Sequence, residues 1–123
     1  MIDLSRLKAN INYVFPCRSY EDYLELIESA KPFEKRHRSS SAAQTAASWW
    51  GDEGSRGAIR ITPDINGKLG YSYASWDFYE SGKFGKYVTI VEISDYRTAL
   101  SLDDWDDEPD LSLLFSGIGG VTL

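Results

Sequence analysis

The sequence predicts an α+β fold: an antiparallel β-meander of three to five strands with two or three short helices packed on one face. Three observations carry this prediction. Apolar and polar residues alternate through the middle of the chain between turn signals, as half-buried strands require. Two earlier segments repeat apolar residues at helical spacing behind good N-caps. The 123 residues, 42% hydrophobic and 14% aromatic, suffice for one buried core and not for two.

Ile11-Asn12-Tyr13-Val14-Phe15 sets Ile, Tyr and Phe on one side, a short strand closed by Pro16. Ser19 is a good N-cap, and Glu21 and Asp22 put acids in the first turn, where the helix dipole favours them. Tyr20, Tyr23, Leu24 and Ile27 then make 20–30 an amphipathic helix, which Pro32 stops. The basic stretch after it reads as a mobile loop near 33–41. Ser41 and Gln44 have the capping-box form and open a helix from Ala42 to Trp50, with Gly51 as its stop. The alanines of that helix let it approach a sheet closely. Trp49 and Trp50 point about 100° apart on it, which leaves one of them free to be exposed.

Ala58-Ile59-Arg60-Ile61-Thr62 alternates, and the turn at 63–68 has Asn66-Gly67 at its centre. Leu69 through Tyr79 reads as a long strand, with Leu69, Tyr71 and Tyr73 on one face and Ala74, Trp76 and Phe78 on the other. A turn at 81–85 leads to Tyr87–Ile93, the most β-prone run, which completes the meander. Ser94 or Asp95 can cap a short helix over Tyr96–Leu100. Leu111–Phe115 adds a last strand or buried turn, and the glycines of 117–123 suit a flexible tail. The whole chain, 1–123, reads as a single domain.

A lone Cys excludes an internal disulfide and a Cys-built zinc site, and a lone His excludes a His pair for metal. No apolar run is long enough to span a bilayer, and the first residues lack the form of a signal peptide. The expected location is the cytoplasm. No cofactor and no membrane partner are expected.

Charge is divided unevenly. The chain has ten basic and nine acidic residues up to Ala74, and three basic and ten acidic after it, for a net −6. Most of the excess lies in Asp103, Asp104, Asp106, Asp107, Glu108 and Asp110, a segment with no basic residue and Trp105 at its centre. Its paired acids, broken by Trp105 and Pro109, do not match a calcium loop. Spaced carboxylates can imitate a phosphate row to a groove of Lys and Arg, because such a groove responds to charge and spacing. Trp105 among them is suited to anchor an interface or to tuck into the core. The opposite extreme, Lys31–Arg38, holds four positive charges against one negative.

Candidate chemistry is sparse. His37 lies among Lys35, Arg36 and Arg38, which favour a neutral imidazole, and Ser39, Ser40 and Ser41 follow it. No acid partner is fixed by spacing, so an exposed basic loop is the simpler reading. Cys17 beside Arg18 could form a thiolate, although a half-buried structural thiol is the plainer role. Tyr71, Tyr73, Trp76, Phe78, Tyr79, Phe84 and Tyr87 could stack bases, but Asp77 and Glu80 interleave with Lys68, Lys83 and Lys86. Direct nucleic-acid binding is therefore not expected.

In its acidic run Asp103–Asp110 and its aromatic meander, the chain resembles the phage- and mobile-element-encoded inhibitors of the anti-CRISPR and antirestriction kind. Trp76-Asp77-Phe78-Tyr79-Glu80, followed by a Gly-containing turn, is similar to antirestriction proteins. The resemblance implies a stoichiometric inhibitor, not an enzyme, that covers a basic surface of a nuclease or CRISPR effector subunit. On that reading the partner-binding residues are Asp103, Asp104, Trp105, Asp106, Asp107, Glu108 and Asp110, on a monomer or weak dimer. The same acids would serve an immunity protein against a basic nuclease toxin. A small enzyme using Cys17 or His37 is the third possibility, and the basic loop or the aromatic sheet is the rival interface.

Overall fold

A computed structural model describes residues 2–35, 40–75 and 88–103. Expectations for 36–39, 76–87 and 104–123 lie outside the described residues. These include His37, the aromatics from Trp76 to Tyr87, the turn at 81–85, the acids after Asp103, the element at 111–115 and the tail. The described chain runs through a 3-10 turn (Leu4–Arg6), β1 (Tyr13–Pro16), α1 (Tyr20–Ala30), α2 (Ala42–Glu53), β2 (Gly57–Pro63), β3 (Leu69–Ser75), β4 (Thr89–Ile90) and α3 (Ile93–Ser101). Further 3-10 turns at Lys31–Phe33 and Gly54–Arg56 follow α1 and α2. The architecture is α+β, with the four strands in the order β3-β2-β1-β4 and all three helices on one face.

β2 and β3 form the expected hairpin, paired antiparallel from Gly57↔Ser75 to Pro63↔Leu69. Asp64 builds its turn: one carboxylate oxygen accepts from the Asn66 and Lys68 amides at 2.8 and 2.9 Å. Gly67 closes it at φ 79°, a left-handed conformation that glycine adopts without strain. Leu69, Tyr71 and Tyr73 face the helices, as the alternation predicts, and Ala74 faces away.

The third meander strand differs from expectation. Within the Tyr87–Ile93 run only Thr89–Ile90 is strand, and it pairs in parallel with β1, at Tyr13↔Thr89 and Val14↔Ile90. Its amide rungs run from Thr89 to the Asn12 carbonyl and from Val91 to the Val14 carbonyl, at 2.8 and 2.9 Å. The next rung of an evenly spaced parallel ladder would need an N–H at position 16, and Pro16 has none. The chain leaves the sheet there. Val91 and Ile93 instead drop into the core, and α3 begins at Ile93, earlier than the Ser94 or Asp95 cap predicts. Glu92 occupies the cap position and accepts from Arg18 at 2.9 Å.

α1 has the predicted bounds, and the Ser19 side chain accepts from the Asp22 amide. It buries Tyr23, Leu26, Ile27 and Ala30 in the core under the sheet, and its buried Ser29 accepts from the Ile2 amide at 2.8 Å. α2 opens with the complete Ser41–Gln44 capping box. Gly51 does not stop it. The helix continues through Asp52 and Glu53 to Gly54, whose φ of 57° makes that residue the terminator. The start of the basic loop is held too: Glu34 forms a bridge to Leu69, and the Lys35 amide donates to the Leu69 carbonyl at 2.9 Å.

The main core gathers Tyr13 and Phe15 from β1, Cys17 just after it, Ile59 and Ile61 from β2, the inward faces of α1 and α2, and Tyr96 from α3. Tyr96 packs edge-on to Phe15 and donates its hydroxyl to the Asp3 carbonyl, which ties α3 to the N-terminal turn. Arg97 of α3 pairs with Glu25 of α1. Across the sheet, Val14, Ala58 and Val88 form a smaller apolar group beside Ala74.

Candidate functional site

Of the predicted partner-binding residues, the structure describes Asp103; Asp104, Trp105, Asp106, Asp107, Glu108 and Asp110 lie outside the described residues. Asp103 follows α3 directly, and its amide donates to the Leu100 carbonyl at 3.1 Å. Its φ of 52° is left-handed, a conformation that a short polar side chain tolerates at a helix end. The carboxylate is 89% exposed and lies 3.5 Å from the Arg6 guanidinium. The acidic run therefore starts at a helix C-terminus, where the backbone dipole is itself negative.

Cys17 is fully buried, not half-buried. Its thiol points to the Phe15 carbonyl at 3.5 Å. Burial above all, and the Asp22 carboxylate next, push its pKa well above the ordinary thiol range. Arg18, which the sequence suggested as a thiolate partner, faces Glu92 instead. A thiol held protonated inside the core cannot serve as a nucleophile without opening the fold.

Tyr71 and Tyr73 are spent on packing. Trp49 of α2 stacks on Tyr73, with ring centroids 5.5 Å apart, and meets Tyr71 edge-on at 6.1 Å. The Tyr71 hydroxyl donates to Glu34 at 3.1 Å. Trp50 is the more exposed of the tryptophan pair, edge-on to Tyr23. Both tyrosines belong to the core face, Tyr71 buried and Tyr73 half-buried against Trp49.

A further feature lies on the outer face of the β2–β3 hairpin. There a cleft of about 350 Å³ is lined by Glu34, Lys35, Arg60, Thr62, Gly70 and Ser72, together with Leu69 and Tyr71. Arg60 and Thr62 alternate with core-facing Ile59 and Ile61, so their outward position was readable. What the sequence did not reveal is that Lys35 joins them, because only the bridge to Leu69 brings that loop to the sheet edge.

Among the described residues, no group of three or more His, Cys, Asp or Glu side chains could hold a metal ion, and no helix is long and apolar enough to cross a membrane. Compared with protein-family models, curated proteins and solved structures, the chain matches none.

Proposed function

We propose that the chain is a non-catalytic protein inhibitor that binds a nucleic-acid-handling effector, in the manner of anti-CRISPR proteins. It covers the effector's basic nucleic-acid-binding surface, with the acidic segment acting as a phosphate mimic. The observation that supports this reading is the emergence of the acidic run at the end of α3. Asp103, its first member, projects an exposed carboxylate from a helix terminus whose dipole adds to the negative field. Six carboxylates within the eight residues 103–110 follow the spacing logic of a phosphate row, and Trp105 supplies an apolar anchor. The partner is a protein with a basic surface, a nuclease or CRISPR effector subunit, met in the cytoplasm by a monomer or weak dimer.

The test is affinity capture from host lysate by the wild-type chain and by a triple variant, Asp104→Asn with Asp106→Asn and Asp107→Asn. The expected result is a nucleic-acid-binding protein captured only by the wild type and displaced by added duplex DNA. A captured partner that DNA does not displace, or that the triple variant retains, overturns the mimic. A toxin nuclease captured with the same dependence would identify the inhibitor as an immunity protein.

A further inference from the structure

We propose a second binding site, independent of the acidic segment: the cleft on the outer face of the β2–β3 hairpin receives the phosphate group of a small phosphorylated molecule. Arg60 is its principal cation. Arg60 sits on β2, a strand paired on both sides, and is half-buried. Among the described residues no carboxylate, carbonyl or hydroxyl partners its guanidinium. In a chain with more acids than bases, a partly desolvated arginine without a counter-ion is a cost unless a ligand supplies the anion.

The surroundings have the matching chemistry. Register puts Ser72 directly opposite Arg60, and Gly70 opposite Thr62, on the same face. The Ser72 hydroxyl therefore lies beside the guanidinium, the Thr62 hydroxyl already donating to Asn12 Oδ1 at 2.6 Å, and Lys35 adds a second positive charge at the sheet edge. Two cations balance a phosphate dianion, and the guanidinium fork with the Ser72 hydroxyl as a further donor suits its tetrahedral oxygens. Glu34 shares the cleft, but its carboxylate already accepts from Tyr71 and lies 3.8 Å from the Lys31 ammonium.

Gly70 provides the floor. A strand interior disfavours glycine, and packing does not demand it here: an added Cβ would meet only the Thr62 carbonyl, at an ordinary 3.7 Å. Its φ lies outside the left-handed range as well. What the missing side chain does is keep the cleft open between Thr62, Ser72 and Arg60. At about 350 Å³ the cleft matches the smaller ligand sites. A polyanion fits poorly, since a chain of net charge −6 repels it at longer range.

Amide chemical shifts of the full chain would be followed while inorganic phosphate is titrated at constant ionic strength. Acetate and a single-stranded oligonucleotide would be titrated in parallel. Saturable shifts at Thr62, Gly70 and Ser72 with phosphate, weakened about tenfold or more in Arg60→Gln, are expected. Gly70→Thr fills the cleft while keeping the charge and the strand preference, and should weaken binding comparably, with both variants checked for native circular dichroism. Shifts that fail to saturate, or that persist in Gly70→Thr, overturn the site. Equal response to acetate overturns its preference for phosphate, and tighter binding of the oligonucleotide through the same amides overturns the small ligand.

Discussion

The Tyr23 hydroxyl lies where a side chain at Gly57 would begin: a Cβ placed on Gly57 would stand 1.4 Å from that oxygen and 2.7 Å from the ring carbon that bears it. Tyr23 is fully buried and donates to the Gly54 carbonyl at 3.1 Å, so the ring has no space into which to retreat. The start of β2 thus depends on a missing side chain as much as on those present. Gly57→Ala should destabilise the fold by about 3 kcal/mol through overpacking, read from urea denaturation. Adding Tyr23→Phe should restore little, because the ring carbon still clashes. Full rescue by that second change would show the hydroxyl alone to be the obstacle and refute the expectation.

Ser41→Ala should cost about 1 kcal/mol, since it strips one half of the capping box from α2 and leaves the Gln44 amide without its acceptor. Gln44→Ala should cost less, because the Ser41 amide that its side chain accepts from is exposed to water. Paired urea curves would settle the order, and the reverse ranking would place the stabilising bond on the other half of the box.

Stability should fall as the solution is made alkaline. Burial raises the pKa of Cys17, and of Tyr23 and Tyr73, in the folded state. The unfolded chain therefore gives up these protons first, binds fewer of them, and gains on the native state as pH rises. The loss should set in near pH ~8.5 for the thiol and ~10 for the phenols. Urea midpoints across that range, compared between wild type and Cys17→Ala, would isolate the earlier step; identical curve shapes would remove the thiol from the account. The native thiol should also resist alkylation that proceeds freely in denaturant.

Tyr96→Phe should cost about 1 kcal/mol by leaving the Asp3 carbonyl without its donor. Arg18→Ala, which removes an exposed pair with Glu92, should cost less than about 1 kcal/mol. A larger loss from Arg18→Ala would show that the bridge, rather than Ile93 burial, holds the start of α3.

What the sequence made legible was local. Ser19 and Ser41 sit beside the amides they cap, Asp64 beside the turn it shapes, and the alternation of Leu69, Tyr71 and Tyr73 needs no knowledge of their neighbours. What it concealed was decided at a distance. β4 takes a parallel place beside β1 because β2 already occupies the opposite edge, and Pro16, seventy residues and more from its effect, cuts that pairing short. Gly51 looked like a helix stop because it comes first, but its successors keep helical geometry and Gly54 alone turns left-handed. Of the acidic segment the sequence revealed the charge, and the structure adds the helix end from which it departs. The cleft beside Arg60 was half legible: the outward strand positions were readable, whereas the approach of Lys35 was not.

The place of β1 between β2 and β4 also bears on the order of events during synthesis. Among the described strands β1 is made first, yet both of its partners come later in the chain, and the second, β4, comes last. The β2–β3 hairpin can close as soon as it leaves the ribosome and β1 can pair with β2, whereas the other edge of β1, at Tyr13 and Val14, stays unpaired until Thr89 and Ile90 have emerged. A nascent chain stalled before β4 would thus present an unpaired apolar edge, which makes the interval between these two strands its most vulnerable to misassociation.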